Sequence, residues 1–327
     1  MQNSPEVTLL KNLFCFIDTD DPTKIQQIEF PDEFQKYLPI HGMGMTCLNN
    51  TFCLGIIPFR ERLTSSILII DLISGISTVE PVYSIKGIHS IFGIDDYRFL
   101  ANSTQTDQIV EVTIFNNKIE FIDVVYSLRN KNISTVFSHK DIISYHIDEK
   151  VDDNFHLNSV FINSNKIYFT RFCMLQEDKQ IINSGNVCYV DDNNTFYILK
   201  SELNHPHSVY VDSQNNILFC NSANFELINF TKNQIITCPG YTRGICEDKS
   251  KGGYWVGISA YRKFSKTQNK WVSICREDIP KQECASIQFI TYDGELKENI
   301  SINTAKEIFE IIPFKEGNWG NIVDTNL

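Results

Sequence analysis

Seven histidines occur in the chain, and four of them, His41, His89, His156 and His207, open runs of one layout. In each run a polar residue precedes a small or apolar step and then a strand-like segment. Arg243 and Glu307 open two more such runs. Neutral imidazole is the commonest transition-metal ligand, so His41, His89, His156 and His207 around one axis would suit a divalent metal, zinc, iron or manganese. Three protein ligands and an open position are the pattern of a catalytic metal. Glu307 would complete the shell or act as general base. Arg243 would bind an anionic group of a substrate or stabilise a developing oxyanion. Asn158 and Ser208 would orient imidazoles through hydrogen bonds, or simply cap strand ends. His205 shares the facing of His207 on an extended chain, since two residues separate them and Pro206 fixes the backbone between. The competing reading is that these polar groups only hydrogen-bond backbone and water at a channel mouth.

The elements that would position them are strands. Helical periodicity is nearly absent beyond a short candidate over residues 31–38. Runs rich in Ile, Val, Phe and Tyr alternate with Asn, Asp, Ser and Gly, the pattern of regularly spaced strands in an all-β fold. His89-Ser90-Ile91-Phe92 reaches Asp95-Asp96 and then Tyr97-Arg98-Phe99-Leu100, and the runs from His156 and His207 repeat the scheme across Asn163-Ser164-Asn165 and Asn215-Asn216. Asn, Asp and Ser suit such turns because they tolerate positive φ and bond their own backbone. The six leading positions lie 36 to 67 residues apart, which fits four-stranded propeller blades of about 40–50 residues with loop insertions. The expectation is a single domain over residues 1–327, a six-bladed β-propeller whose inner strands line a central channel. Residues 7–17 would supply outer strands beside the run from Glu307. Seven blades, or an irregular five, are the alternatives that uneven spacing leaves open.

With 327 residues, 42% of them hydrophobic, the chain is long enough for one large ring and too apolar for wholesale disorder. A formal charge of -11 disfavours nucleic acid, because phosphate neutralisation needs clustered Lys and Arg. No apolar run approaches the ~20 residues that span a bilayer, and the N-terminus lacks the basic-then-apolar order of a signal peptide. A cytoplasmic protein off the membrane is therefore expected, its ten scattered cysteines being free thiols. The acidic stretch 146–154 lacks EF-hand spacing and reads as a solvated loop.

Five motifs support a resemblance. They are His156-Leu157-Asn158, Pro206-His207-Ser208, Pro239-Gly240-Tyr241-Thr242-Arg243-Gly244-Ile245, Val256-Gly257-Ile258-Ser259 with Arg262, and Glu307-Ile308-Phe309-Glu310. In this order they resemble an uncharacterised bacterial family of propeller-like proteins with HLNG, PHS and PG-[FY]-TRG motifs. Ser159 and His205 depart from that pattern, standing where the family has Gly and often Met. The run His207-Ser208-Val209-Tyr210-Val211-Asp212 is also similar to NHL repeats and lactonase-like propellers, which implies a fold and no activity. The functional expectation is a metal-assisted enzyme acting on a small polar or anionic metabolite in the channel, of lyase, hydrolase (lactonase included) or isomerase type. The alternative is a non-catalytic propeller that offers its rim loops to proteins or glycans.

Overall fold

A computed structural model describes residues 12–18, 20–21, 24–29, 40–41, 44–58, 65–128, 136–138, 155–172, 185–260, 264–265, 270–271, 278–280, 282–303, 305 and 307–313. The candidate helix at 31–38, the acidic stretch 146–154 and the side chain of His41 lie outside the described residues.

The chain forms a β-propeller of five blades, each built on a four-stranded antiparallel meander. Blade 1 runs through Met45–Leu48, Thr51–Pro58, Ser65–Asp71 and Ser77–Val82, with Ile40–His41 added beside its second strand. Blade 2 runs through Ile91–Gly93, Arg98–Ser103, Gln108–Phe115 and Lys118–Ser127, and gains an outer strand, Val136–Ser138. Blade 3 comprises Leu157–Asn163, Lys166–Arg171, Gly185–Val190 and Phe196–Leu203. Blade 4 comprises Pro206–Val211, Ile217–Asn221, Glu226–Asn229 and Gln234–Thr237. Blade 5 comprises Tyr241–Asp248, Gly253–Ser259, Ala285–Thr291 and Leu296–Ile302. The turns use the residues that tolerate left-handed backbone: Asn49, Asn117, Asn165, Asn194, Asn215 and Asn233 all have positive φ.

Apolar side chains gather between successive blades. Ile69 and Val112 share one buried cluster between blades 1 and 2, and Leu100 and Phe169 another between blades 2 and 3. Val187 meets Phe219 between blades 3 and 4, and Leu218 meets Val256 between blades 4 and 5. Blades 2, 3 and 4 thus bury both faces, as sheets stacked between neighbours must. The seven described cysteines are unbonded, as expected, and Cys53, Cys188 and Cys220 are wholly buried in this packing. Among the described residues no helix is long and apolar enough to cross a membrane.

Serine hydroxyls join the inner strands to one another. The N–H of Val160 donates to Ser90 Oγ (3.3 Å), that of Val209 to Ser159 Oγ (3.1 Å), and that of Gly244 to Ser208 Oγ (2.7 Å). Thr46 Oγ1 does the same for the N–H of Gly93 at 3.1 Å. The edge of an inner strand is otherwise unpaired, so each hydroxyl satisfies a donor that would be buried and orphaned. At Gly44 the strands come so close that a Cβ would fall on the Ser90–Ile91 backbone.

The six-bladed expectation is corrected to five. The run from Glu307 to Ile312 enters no ladder, and the N-terminal strands Asn12–Ile17 and Ile25–Glu29 pair only with each other. An apolar run followed by a turn signal resembles the first strand of a blade, but a blade needs three further strands. Instead residues 307–313 form an extended segment between blades 5 and 1. Ile308 exchanges hydrogen bonds with Ser259 Oγ (3.1 and 3.3 Å), and Ile311 lies against Gly244, whose φ of +73° and missing side chain admit it. Ile17 packs with Trp255, Ile308 and Ile311. The tight spacing of 36 residues after His207 corresponds to short strands in blade 4, and the long stretch after Arg243 to an inserted hairpin, Phe264–Ser265 with Lys270–Trp271.

Removing a collar hydroxyl should destabilise the ring. Ser159→Ala is expected to cost about 1–3 kcal/mol by orphaning the Val209 N–H, whereas the exposed Ser301→Ala should stay within about 0.5 kcal/mol. Urea unfolding of both variants checks this; equal midpoints would contradict a structural role for the collar.

Candidate ligand site in the central channel

Equivalent positions around the channel can be read from one recurring hydrogen-bond pattern. Thr104 and Ser222 open short 3-10 turns after the second strands of blades 2 and 4. Each hydroxyl lies on the imidazole Nδ1 of its own blade, Thr104 Oγ1 at 3.1 Å from His89 and Ser222 Oγ at 2.9 Å from His207. Each also lies 2.6 Å from a carbonyl of the next blade, Leu157 and Thr242 respectively. Leu157 and Thr242 are therefore equivalent, and so are the residues that follow them, Asn158 and Arg243. His89, Asn158 and His207 precede the collar serines, and Arg243 precedes Gly244. The ring at this level is His89, Asn158, His207 and Arg243, in blade order.

His156 sits two positions upstream of that ring, in register with His205 and Gly87. All three have positive φ, at 48°, 52° and 75°. The histidines cluster, but around an aromatic side chain. Phe172 stacks between His156 (ring centroids 4.9 Å) and His205 (4.7 Å), and meets His207 edge-on at 5.4 Å. His89 is 5.3 Å from His156, and Tyr241 lies 5.7 Å from His207 with its hydroxyl 3.4 Å from His205 Nδ1. Among the described residues no three His, Cys, Asp or Glu side chains are grouped so as to hold a metal ion.

Arg243 is 5% exposed, and desolvation pulls its pKa below the usual guanidinium value. Its guanidinium lies over the Phe309 ring at 4.5 Å, and among the described residues its Nε has no hydrogen-bond partner. Among the described residues it forms no ion pair. The carboxyl electrostatically coupled to it is that of Glu310, which is half-buried and lines the adjoining cavity. Burial pushes Glu310 up to about 8, against the opposing pull of the Ile311 N–H and of Arg243. A carboxyl with that value is largely protonated at neutral pH, so the buried cation is left with little compensation. Asn158, in the same ring, is 3% exposed, and among the described residues both its amide N and O are without partners.

Of the other expected site residues, Ser208 belongs to the collar and supports blade 5. Glu307 is half-buried at the start of the extended segment, and the carboxylate electrostatically coupled to Arg243 is Glu310. Phe172, Tyr241, Phe309 and Glu310 were not expected. Glu310 ends the Glu307-Ile308-Phe309-Glu310 motif and had that signal; Phe172 lies just past a strand end and had none. Beyond the collar the channel widens into a cavity of about 380 Å³, lined among others by Ser90, Ser159, Ser208, Phe92, Phe161 and Glu310.

No protein-family model matches the sequence, so the motif resemblance to one uncharacterised family has no such match behind it. No curated protein matches it either. Three solved structures are similar in fold. A luciferin-regenerating enzyme is 12% identical, with 84% of this chain and 80% of that chain covered and a TM-score of 0.49. A putative gluconolactonase is 11% identical, covering 83% and 96% with a TM-score of 0.40. A streptogramin B lyase is 14% identical, covering 84% and 88% with a TM-score of 0.43. Similarity at this level does not speak to activity.

The Glu310 carboxyl gives a pH prediction. Its ordinary value is 4.5 and its folded value about 8, so over that window the folded state keeps a proton that the unfolded state gives up. Glu310 therefore lowers stability as pH rises, by up to about 1.4 kcal/mol per pH unit. Glu310→Gln should flatten the fall in stability between pH 5 and 8, roughly, followed by urea midpoints. A variant as steep as the wild type would contradict the assignment.

Proposed function

We propose that the ring of His89, Asn158, His207 and Arg243 is an enzyme active site for a small anionic metabolite. One observation carries the reading: Arg243 is buried, and among the described residues its Nε has no hydrogen-bond partner and its guanidinium forms no ion pair. An uncompensated buried cation is costly, and an anionic ligand group is the natural counter-charge. Arg243 would clamp that group through charge-assisted hydrogen bonds, and the Asn158 amide would donate and accept beside it. A protonated Glu310 would serve as general acid, and an imidazole of the ring as base. This set suits lyase or hydrolase chemistry, in which a proton is removed at one point of the substrate and delivered at another.

A divalent metal on His89, His156 and His207, with His41 as a fourth ligand, is the other chemistry these residue types suggest. It fits this arrangement poorly, because Phe172 occupies the space between the His156, His205 and His207 rings. Elemental analysis of the wild type beside His156→Ala/His207→Ala tests it: one metal per wild-type chain, lost in the variant, would show that Phe172 yields.

The anion reading is tested by calorimetry with a panel of small carboxylates and phosphate esters against wild type and Arg243→Gln. At least one anion should bind the wild type and lose 30-fold or more in affinity in the variant, as losing about 2 kcal/mol or more from a buried charge-assisted contact implies. The same ligand should bind more weakly above pH ~8, where Glu310 ionises and competes for Arg243. Binding that survives Arg243→Gln unchanged would overturn the reading and favour an interaction scaffold working through its rim.

A further inference from the structure

The cavity beyond the collar differs in chemistry from the ring above it. Its volume of about 380 Å³ is within the range of small-molecule pockets. Among the described residues no Lys, Arg or His side chain lines it, and its acidic groups are Asp95, Asp96 and Glu310. Arg98 already holds the exposed Asp95 at 2.7 Å. Glu310 is placed differently. Phe92, Phe161 and Ile311 line the same space, and among the described residues the one hydrogen bond to its carboxyl is a long one, 3.4 Å, from the N–H of its neighbour Ile311. The wall is firmly packed: Phe92 lies on Phe161 (ring centroids 4.2 Å), and Phe161 meets Tyr210 edge-on at 5.1 Å. A carboxyl in apolar surroundings, with no cation in the same space, is costly to charge.

We propose that this cavity is a second ligand site, for a small monovalent organic ammonium with an apolar body. The ammonium head pairs with Glu310, and the body lies against Phe92, Phe161 and Ile311, where aromatic faces also attract a cation. The sign of the charge selects this class, since carboxyls without a cation repel an anion. Apolar walls offer an inorganic dication too few oxygens, and a neutral apolar molecule would leave the carboxyl without a partner. Burial holds Glu310 of the empty site at about 8, so at neutral pH it starts protonated. On binding, its proton passes to the buffer and a carboxylate faces the ammonium. The groups coupled to it are Arg243 and the thiols of Cys220 and Cys246, both raised by burial and neutral in this range. Cys47 and Tyr210, on the same wall, are also pushed up by burial. The proposal uses the carboxyl of the channel reading but not Arg243, which does not line the cavity, so the two fail independently.

Calorimetry on the wild type with phenethylammonium and its neutral isostere, phenethyl alcohol, forms the first arm. The ammonium should bind more tightly by about tenfold or more, as a charge-assisted contact implies. Its affinity should rise by up to about tenfold per pH unit towards pH ~8 and level off above, the opposite trend to the anion of the channel reading. In buffers of different ionisation heat near pH ~7, the titration should show release of close to one proton per ligand. Equal affinity for the two probes, no binding of the ammonium, or binding without proton release would overturn the proposal.

Two variants form the second arm. Glu310→Gln should weaken the ammonium by about tenfold or more and abolish the pH trend, whereas Arg243→Gln should still bind it. Ammonium binding unchanged in Glu310→Gln, or lost in a folded Arg243→Gln, would overturn the assignment to this cavity. Failure of every anion tested on Arg243 would leave an ammonium result standing. If Glu310→Gln does not fold, the probe comparison, pH trend and proton release of the wild type still decide.

Discussion

A hydroxyl oxygen reaching from one inner strand to the backbone N–H of the next is the contact on which the rest of this propeller depends. The inner strand of a blade has one edge paired within its sheet and one facing the channel, and buried N–H groups on that edge need acceptors. Ser90, Ser159 and Ser208 supply them in sequence, and Thr46 does so for blade 2. Because the bonds run between blades, they fix the register of neighbouring inner strands. That register places His89, Asn158, His207 and Arg243 at one level and leaves His156 and His205 at another. The site geometry is thus a consequence of how the ring is stitched.

Polar groups that the ring does not satisfy stand out against this economy. Asn158 and Arg243 are as buried as the serines beside them, yet among the described residues both amide atoms of Asn158 and the Nε of Arg243 lack partners. Native proteins leave few such groups, and those they keep call for an explanation. Here they share one level of one channel, and Arg243 is electrostatically coupled to the Glu310 carboxyl, whose pKa desolvation raises. Residues 307–313 carry that carboxyl and the aromatic ring beneath the guanidinium, so the segment packed on blade 5 also contributes to the candidate site.

Much of the fold was legible in the sequence. Alternating apolar runs, Asn-rich turns and the repeated His-Ser step in His89-Ser90 and His207-Ser208 gave strands, hairpins and inner-strand starts. Blade number was not, because the run from Glu307 has the composition of a strand and only the missing ladder partners reveal that it is none. The site was legible in part. His89, His207, Arg243 and Asn158 were singled out and share a level, whereas His156 was aligned on its residue type and lies two positions upstream, because the step Asn158-Ser159-Val160 is the one that matches His207-Ser208-Val209. Phe172 could not be seen from sequence at all, since its role comes from stacking between rings of two blades.

The central claim is that Arg243 holds a charge the protein alone does not compensate, kept for a ligand. The stability of ligand-free Arg243→Met beside wild type tests it most directly. An apolar side chain of similar length should raise stability by about 1–4 kcal/mol, as happens when a costly buried charge is replaced, and should abolish anion binding at the same time. A variant less stable than wild type in the absence of ligand would show that the cation is already paid for within the fold, and would contradict the account.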